Sequence, residues 1–244
     1  MWENSELKQK AKQVLSRFGY WTPFLATILC GLLMTDPSNI LSVMSKNGGF
    51  ESFLENEEFA YYFSIVFLFC VIFSFFFNIF VGYPVLVGMN RFFMENRVSG
   101  SKVERIFWVF KSGKYLNAVK IMFLMNLKIF LWSLLFIIPG IIKSYQYYMI
   151  PYILAENPGM DSERAFEISK EMTDGEKFDI FWLGLSFIGW ILLGTLACGI
   201  GVLFVEPYIQ ATFAELYQVM RDKVHNSGFS DYSELPGFFP EQKS

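Results

Sequence analysis

The chain has 244 residues, of which 53% are hydrophobic, 29 are phenylalanine and only 18% are charged. A soluble core of this size does not need so much apolar surface, so the composition excludes an ordinary soluble domain and points to the membrane class. The net charge of −3 is uninformative by itself, because the signal lies in where the 20 lysines and arginines fall.

A helix that crosses about 30 Å of hydrocarbon needs about 20 apolar residues, and lipid offers no partner to open backbone groups, so helices are the expected spanning element. Residues 4–17 place Leu7, Ala11, Val14 and Leu15 on one helical face with lysines elsewhere. Two readings fit: a short helix lying on an anionic membrane surface, or an extension of the first span. That span covers about 18–35 and lacks an A-x-A-like cleavage site, which predicts an uncleaved helix. Asp36 and Pro37 end it and open a loop carrying Glu51, Glu55, Glu57 and Glu58 against Lys46; without ligand spacing this reads as a solvated acidic loop.

The second span, about 59–81, is rich in phenylalanine, and Gly82-Tyr83-Pro84 is expected to bend or interrupt it. Residues 91–120 are basic. Within them Ser101 and Glu104 have capping-box spacing, and Val103, Ile106, Phe107 and Phe110 form an apolar stripe, which together predict a second interfacial helix. Span three (about 119–138) folds back at Pro139-Gly140 into span four (about 141–155), which contains Pro151. Asp161 or Ser162 can cap a surface helix with Ala165, Phe166, Ser169 and Met172 on one side, and Thr173 and Glu176 read as a capping box opening span five, about 176–198. Gly184, Gly189, Gly194 and Gly199, with Thr195, mark span five as a close-packing helix. A second tight turn near Gly199–Gly201 leads to span six, about 201–220. The three cysteines, Cys30, Cys70 and Cys198, sit in apolar runs without CxxC spacing and read as small hydrophobes.

The expected fold is therefore all-α and polytopic: one six-helix membrane domain over residues 1–222 with short interfacial helices, then a flexible cytoplasmic tail, 223–244, in which Leu235, Phe238 and Phe239 can dock. Lysine and arginine set the orientation. Seventeen of the 20 bases fall in the amino-terminal segment, the 91–120 and 156–178 loops and the stretch after span six; Lys46 lies opposite, and Lys128 and Lys143 lie within spans. Six crossings with both termini cytoplasmic satisfy that distribution.

The stretches PVLVGMNRFFMENR, KYLNAVKIMFLMNLKIFLWSLLFIIPGIIKSYQYYMIPYILAENP and LSFIGWILLGTLACGIGVLFVEPYIQATFAELY resemble the bacterial integral membrane family catalogued as domain of unknown function 975. Pro139, Gly140, Lys143, Pro151, Tyr152, Phe187, Trp190, Gly194, Gly199, Gly201, Pro207, Tyr208, Ala211 and Thr212 carry the resemblance most specifically. It extends over nearly the whole chain and implies a six-helix domain in the bacterial cytoplasmic membrane, without an agreed activity. A more distant likeness is to the membrane part of glycerophosphodiester phosphodiesterases, whose hydrolase domain has no counterpart here.

An ionisable side chain within a bilayer costs roughly 2.5–3.5 kcal/mol on insertion scales, so each one needs a partner, a water cavity or the interface. Lys128, Lys143, Gln146, Glu206 and Gln210 are the candidate residues of an interior polar seam, with Lys143 and Glu206 at similar depth and Gln210 or Glu215 within reach of Lys128. The seam reads either as interhelical glue or as a ligand path. Enzyme signatures are missing: the single histidine, His225, follows span six, Ser186 lacks GxSxG spacing, and there is no Walker loop, GxGxxG or metal-ligand spacing, so neither a catalytic residue nor a cofactor is expected. A lipid enzyme using Glu206 or Glu215 would lack a paired acid, metal or histidine. The expected role is a non-enzymatic envelope or transporter-accessory or protective protein, the alternative a small transporter or channel using the seam. Expected partners are membrane lipids and a partner membrane protein or second copy; the basic loops fit anionic lipid rather than nucleic acid.

Overall fold

The computed structural model describes residues 2–34, 57–196 and 200–238. Every regular element among them is helical. The chain opens with α1 (Asn4–Phe18), stops at Gly19, where φ is 87°, and turns into α2 (Trp21–Met34). Leu7, Ala11 and Leu15 are buried on α1, as their spacing predicts, but they do not lie free on a membrane surface. The apolar face packs against the last helix instead.

After the acidic loop, most of which lies outside the described residues, comes a helical run of α3 (Glu57–Phe77), one π-helical turn (Asn78–Gly82) and α4 (Tyr83–Ser99). The interruption expected at Gly82-Tyr83-Pro84 takes the form of this π turn, and the helical run continues through it. Pro84 can donate no backbone hydrogen bond, and the π turn takes up the misfit. The carbonyl of Phe80, one turn before it, accepts from the Tyr115 hydroxyl at 2.5 Å. A tyrosine from another helix thus supplies the missing donor.

The stripe from Val103 forms a 3-10 turn (Val103–Phe107) and a single helical turn, α5 (Trp108–Lys111), with Ile106 and Val109 buried but Phe107 and Phe110 exposed. Its capping box is absent. Ser101 instead donates its hydroxyl to Glu95 and its N–H to Asn96, because the end of α4 lies within reach and offers both acceptors.

Two hairpins follow. In the first, α6 (Tyr115–Leu135) meets α7 (Ile137–Gln146) across one extended residue, Phe136, with φ −156° and ψ 143°. The turn therefore precedes Pro139-Gly140, and Pro139 lies in the first turn of α7, where a helix has no use for its N–H. Gly140 is needed for proximity: a side chain there would start 2.7 Å from the Ser133 Cα. The fourth span is broken, since α7 ends at Gln146 and α8 (Ile150–Glu156) restarts after a short turn with all its residues buried.

Asp161 then caps α9 (Ser162–Met172), accepting from the N–H groups of Glu163 and Arg164, and Ala165, Phe166, Ser169 and Met172 are all buried as their spacing predicts. The Thr173–Glu176 capping box does not form. Thr173 donates back to the Ser169 carbonyl at 2.9 Å, and Glu176 receives the Trp2 indole N–H, since both side chains have closer partners than the helix start. The second hairpin comprises α10 (Lys177–Leu185), α11 (Ile188–Leu196) and α12 (Ile200–Asn226). Cys198 and Gly199 lie outside the described residues. Gly194 and Gly201 make the close approach: a Cβ on Gly194 would sit 2.7 Å from the Val202 nitrogen, and one on Gly201 2.6 Å from the Gly194 Cα. Gly184 and Gly189, expected to share that role, face open space.

Among the described residues three helical runs are long and apolar enough to cross a membrane: Phe67–Ser99, Tyr115–Leu135 and Lys177–Leu196. The other three expected spans correspond to shorter apolar stretches: α2, Trp21–Met34; the fourth span, interrupted between α7 and α8; and α12, whose charged residues concentrate in its second half. Exposed apolar side chains concentrate on Tyr61–Phe80, Phe123–Ile142 and Phe178–Phe204, whereas the packed core joins α1, α4, α8, α9 and the second half of α12. After α12 the chain stays attached to that core: Leu235 is buried and Phe238 packs against it.

Candidate functional site

Each charged candidate residue of the seam has a near partner. Lys128 places its amine 3.6 Å from the centre of the Phe166 ring, a cation over an aromatic face. Lys143 donates to Gln146 at 2.9 Å, one turn along its own helix, and lies near the rings of Trp132 and Tyr147. Glu206 accepts from Gln210 at 2.7 Å, again one turn apart on one helix. Lys143 and Glu206 therefore each have a local partner. Local pairing is expected when the i, i+3 and i, i+4 neighbours are already in reach and require no long side chain to be ordered across the bundle.

Between these pairs lies a cavity of about 280 Å³, lined by Asn90, Ser144, Tyr147, Tyr148, Tyr152 and Gln210 among apolar residues. Gln210 is the one seam residue in its wall. Tyr148 packs against Phe213, and Tyr152 stacks on Tyr217 at 5.4 Å, so the aromatic wall is held by α12. Sequence reasoning found Gln210 but missed Asn90 and the tyrosine cluster. The signal was available: four tyrosines and a glutamine, SYQYYMIPY, in an otherwise apolar stretch.

The strongest electrostatics lie at the other end of the core and were also missed. Arg97 of α4 forms a two-pronged pair with Glu215 of α12, at 2.7 and 3.0 Å, and donates a third bond to Gln218 at 3.0 Å. Glu215 is only 5% exposed. Arg91 donates to Glu95 at 2.7 Å and to the Ala155 carbonyl at 2.8 Å, with its guanidinium 3.5 Å from the Trp108 ring centre. Glu156, buried at the end of α8, accepts from the Tyr217 hydroxyl at 2.6 Å, from Arg221 at 3.4 Å and from the Gly237 N–H. A buried charge is tolerable only when its partners are fixed like this. Every acid in the cluster is committed to a named donor.

The chain beyond α12 closes this end. Arg164 grips Glu234 at 2.7 and 2.9 Å and donates to the Phe229 carbonyl, while Asn157 donates to the Glu234 carbonyl at 3.0 Å. Those Arg164 hydrogen bonds hold the Glu234 carboxyl below its ordinary value and raise the already high pKa of Arg164. Trp2 and Lys223 reach Glu176 at 3.0 and 3.3 Å, so the amino terminus, the start of α10 and the end of α12 meet there. No group of three histidine, cysteine, aspartate or glutamate side chains among the described residues is arranged to hold a metal.

Residues 134–223 match the family described as "Protein of unknown function (DUF975)". The match covers α7 to most of α12 and bears out the resemblance over that stretch. No curated protein and no solved structure matches the chain, and the likeness to phosphodiesterase membrane parts finds no support there.

Proposed function

With residues 134–223 assigned to the DUF975 family as the premise, we propose that this is a non-enzymatic multi-pass protein of the bacterial cytoplasmic membrane. It crosses six times, keeps both termini in the cytoplasm and serves the envelope as a transporter accessory or a protective component. One observation carries the reading: long apolar runs with exposed side chains project from a core whose arginines and acids are gathered in one buried cluster. Such a body has one end built for lipid and one for water. The bases of the 91–120 region, α9 and the end of α12 share the watery end, in keeping with the charge rule for cytoplasmic loops.

The same geometry favours an accessory role over catalysis or transport. Glu206 and Glu215 are occupied by Gln210 and Arg97, which leaves neither as a free acid or base. Among the described residues the seam side chains take near partners, Lys143 with Gln146, Glu206 with Gln210 and Lys128 over the Phe166 ring, which favours interhelical glue over a ligand path. The role is tested by extracting the protein with its surrounding bilayer, without detergent, and identifying what accompanies it. A stoichiometric membrane-protein partner supports the reading; turnover of a substrate, or ion flux that Lys128→Leu abolishes in liposomes, contradicts it.

A further inference from the structure

The amino-terminal helix and the second hairpin enclose a groove of about 500 Å³ that belongs to neither the seam nor the charged cluster. Its floor is apolar: Leu15 from α1, Trp190 from α11, and Phe204 and Val205 from α12. Its polar groups are Lys12 and Ser16, one turn apart on α1, with the hydroxyls of Tyr20 and Tyr208; the Ser16 hydroxyl donates to the Gln13 carbonyl at 2.9 Å, which leaves the Lys12 amine as the groove's cation. Trp190 and Phe204 are about half exposed within it, so the groove opens sideways.

α1 runs antiparallel to α12. Trp2 reaches the start of α10 beside Lys223, and the Tyr20 hydroxyl donates to the Phe204 carbonyl, one turn before Pro207. That alignment carries two amines up the hairpin. Lys8 donates to the Ser186 carbonyl at 3.4 Å and lies over the Phe187 ring, and the Lys12 amine lies 5.7 Å from the Tyr208 ring centre. Lys12 is eight residues from Asn4, the first residue of α1, or about 12 Å at the helical rise. Among the described residues no carboxylate pairs with Lys8 or Lys12, whereas neighbouring Lys10 is paired with Glu6. An amine at such depth is costly while it lacks a counter-charge.

We propose that this groove binds an anionic membrane phospholipid, with the phosphate on the Lys12 amine and an acyl chain laid along Trp190, Phe204 and Val205. Charge complementarity selects the head and the apolar floor selects the chain; the volume falls in the range of small-molecule sites. The inference rests on the membrane placement proposed above.

The test uses the full chain in bilayers containing brominated phosphatidylglycerol or brominated phosphatidylcholine. The contribution of Trp190 is isolated by difference from Trp190→Phe. Trp190 is expected to be half-quenched at an about fivefold lower fraction of phosphatidylglycerol, the worth of roughly one base at an anionic surface. Lys12→Gln should equalise the two lipids and Lys12→Arg should keep the preference. Equal quenching in the unaltered chain, a preference that survives Lys12→Gln, or occupation by a brominated free fatty acid in place of phospholipid overturns the site. Loss of quenching by either lipid at every tryptophan overturns the membrane placement along with it, whereas quenching without preference removes the groove alone.

Discussion

Replacing Glu215 by leucine should destabilise the protein by about 3 kcal/mol, and adding Arg97→Met should restore most of the loss. The two groups are linked by bonds of 2.7 and 3.0 Å, and Glu215 is 5% exposed, so this is a buried pair rather than a surface one. Breaking a buried pair from one side costs about 3–5 kcal/mol, because a charge is left without its counter-charge. The lower end applies here, since the Arg97 side chain retains some solvent contact and a bond to Gln218 at 3.0 Å. Replacing both partners with apolar residues of similar volume removes the stranded charge and should return the protein to within about 1 kcal/mol of the original. The assay is a double-mutant cycle on reversible unfolding in mild detergent, followed by tryptophan fluorescence. A loss under about 1 kcal/mol for Glu215→Leu, or a double variant whose loss is the simple sum of the two, would refute the claim that this pair is a buried, coupled unit.

Other outcomes follow from the same contacts. Tyr115→Phe should cost about 1 kcal/mol in an unfolding experiment, the ordinary net worth of one hydrogen bond, because it removes the donor to the Phe80 carbonyl. The same change in a Pro84→Ala background should cost less, since residue 84 then supplies its own N–H. Gly194→Val should lower stability and the yield of folded protein sharply, whereas Gly189→Ala should change neither; the first meets the backbone of α12 and the second meets open space. The Arg164–Glu234 contact should release the segment after α12 at low pH. Arg164 depresses the folded-state pKa of Glu234, so the stabilisation is complete above the unfolded carboxylate value of about 4.3 and is lost as pH falls through the lower folded value. Amide exchange across residues 227–238 should rise over that window, and Glu234→Gln should show fast exchange already at neutral pH.

The helical character of the chain was legible because its signals are local. Asp161 lies one residue before a 3.6-residue apolar pattern, and that pattern fixes both the cap and the buried face of Ala165, Phe166, Ser169 and Met172. Apolar run length alone located the hairpins. Features that depend on a distant partner were not legible. Pro84 reads as a breaker until Tyr115, 31 residues later, is found to serve the carbonyl behind it. Arg97 and Glu215 are 118 residues apart and look like loop and span charges until α4 and α12 are placed side by side. The pairing within the seam was not legible for a related reason: depth arithmetic places Lys143 and Glu206 at one level but ignores Gln146 and Gln210, which sit one helical turn from each and are reached first. Where the two ends of the chain dock was not legible, because nothing local shows that α12 and the charged cluster receive them.

The central claim is that the charged end of the core faces the cytoplasm while the apolar runs lie in lipid. It is tested most directly by Lys111→Cys in a chain whose natural cysteines are replaced by alanine, labelled with a membrane-impermeant thiol reagent. The account predicts no labelling on intact cells and full labelling once the membrane is opened; labelling of position 111 on intact cells would contradict it.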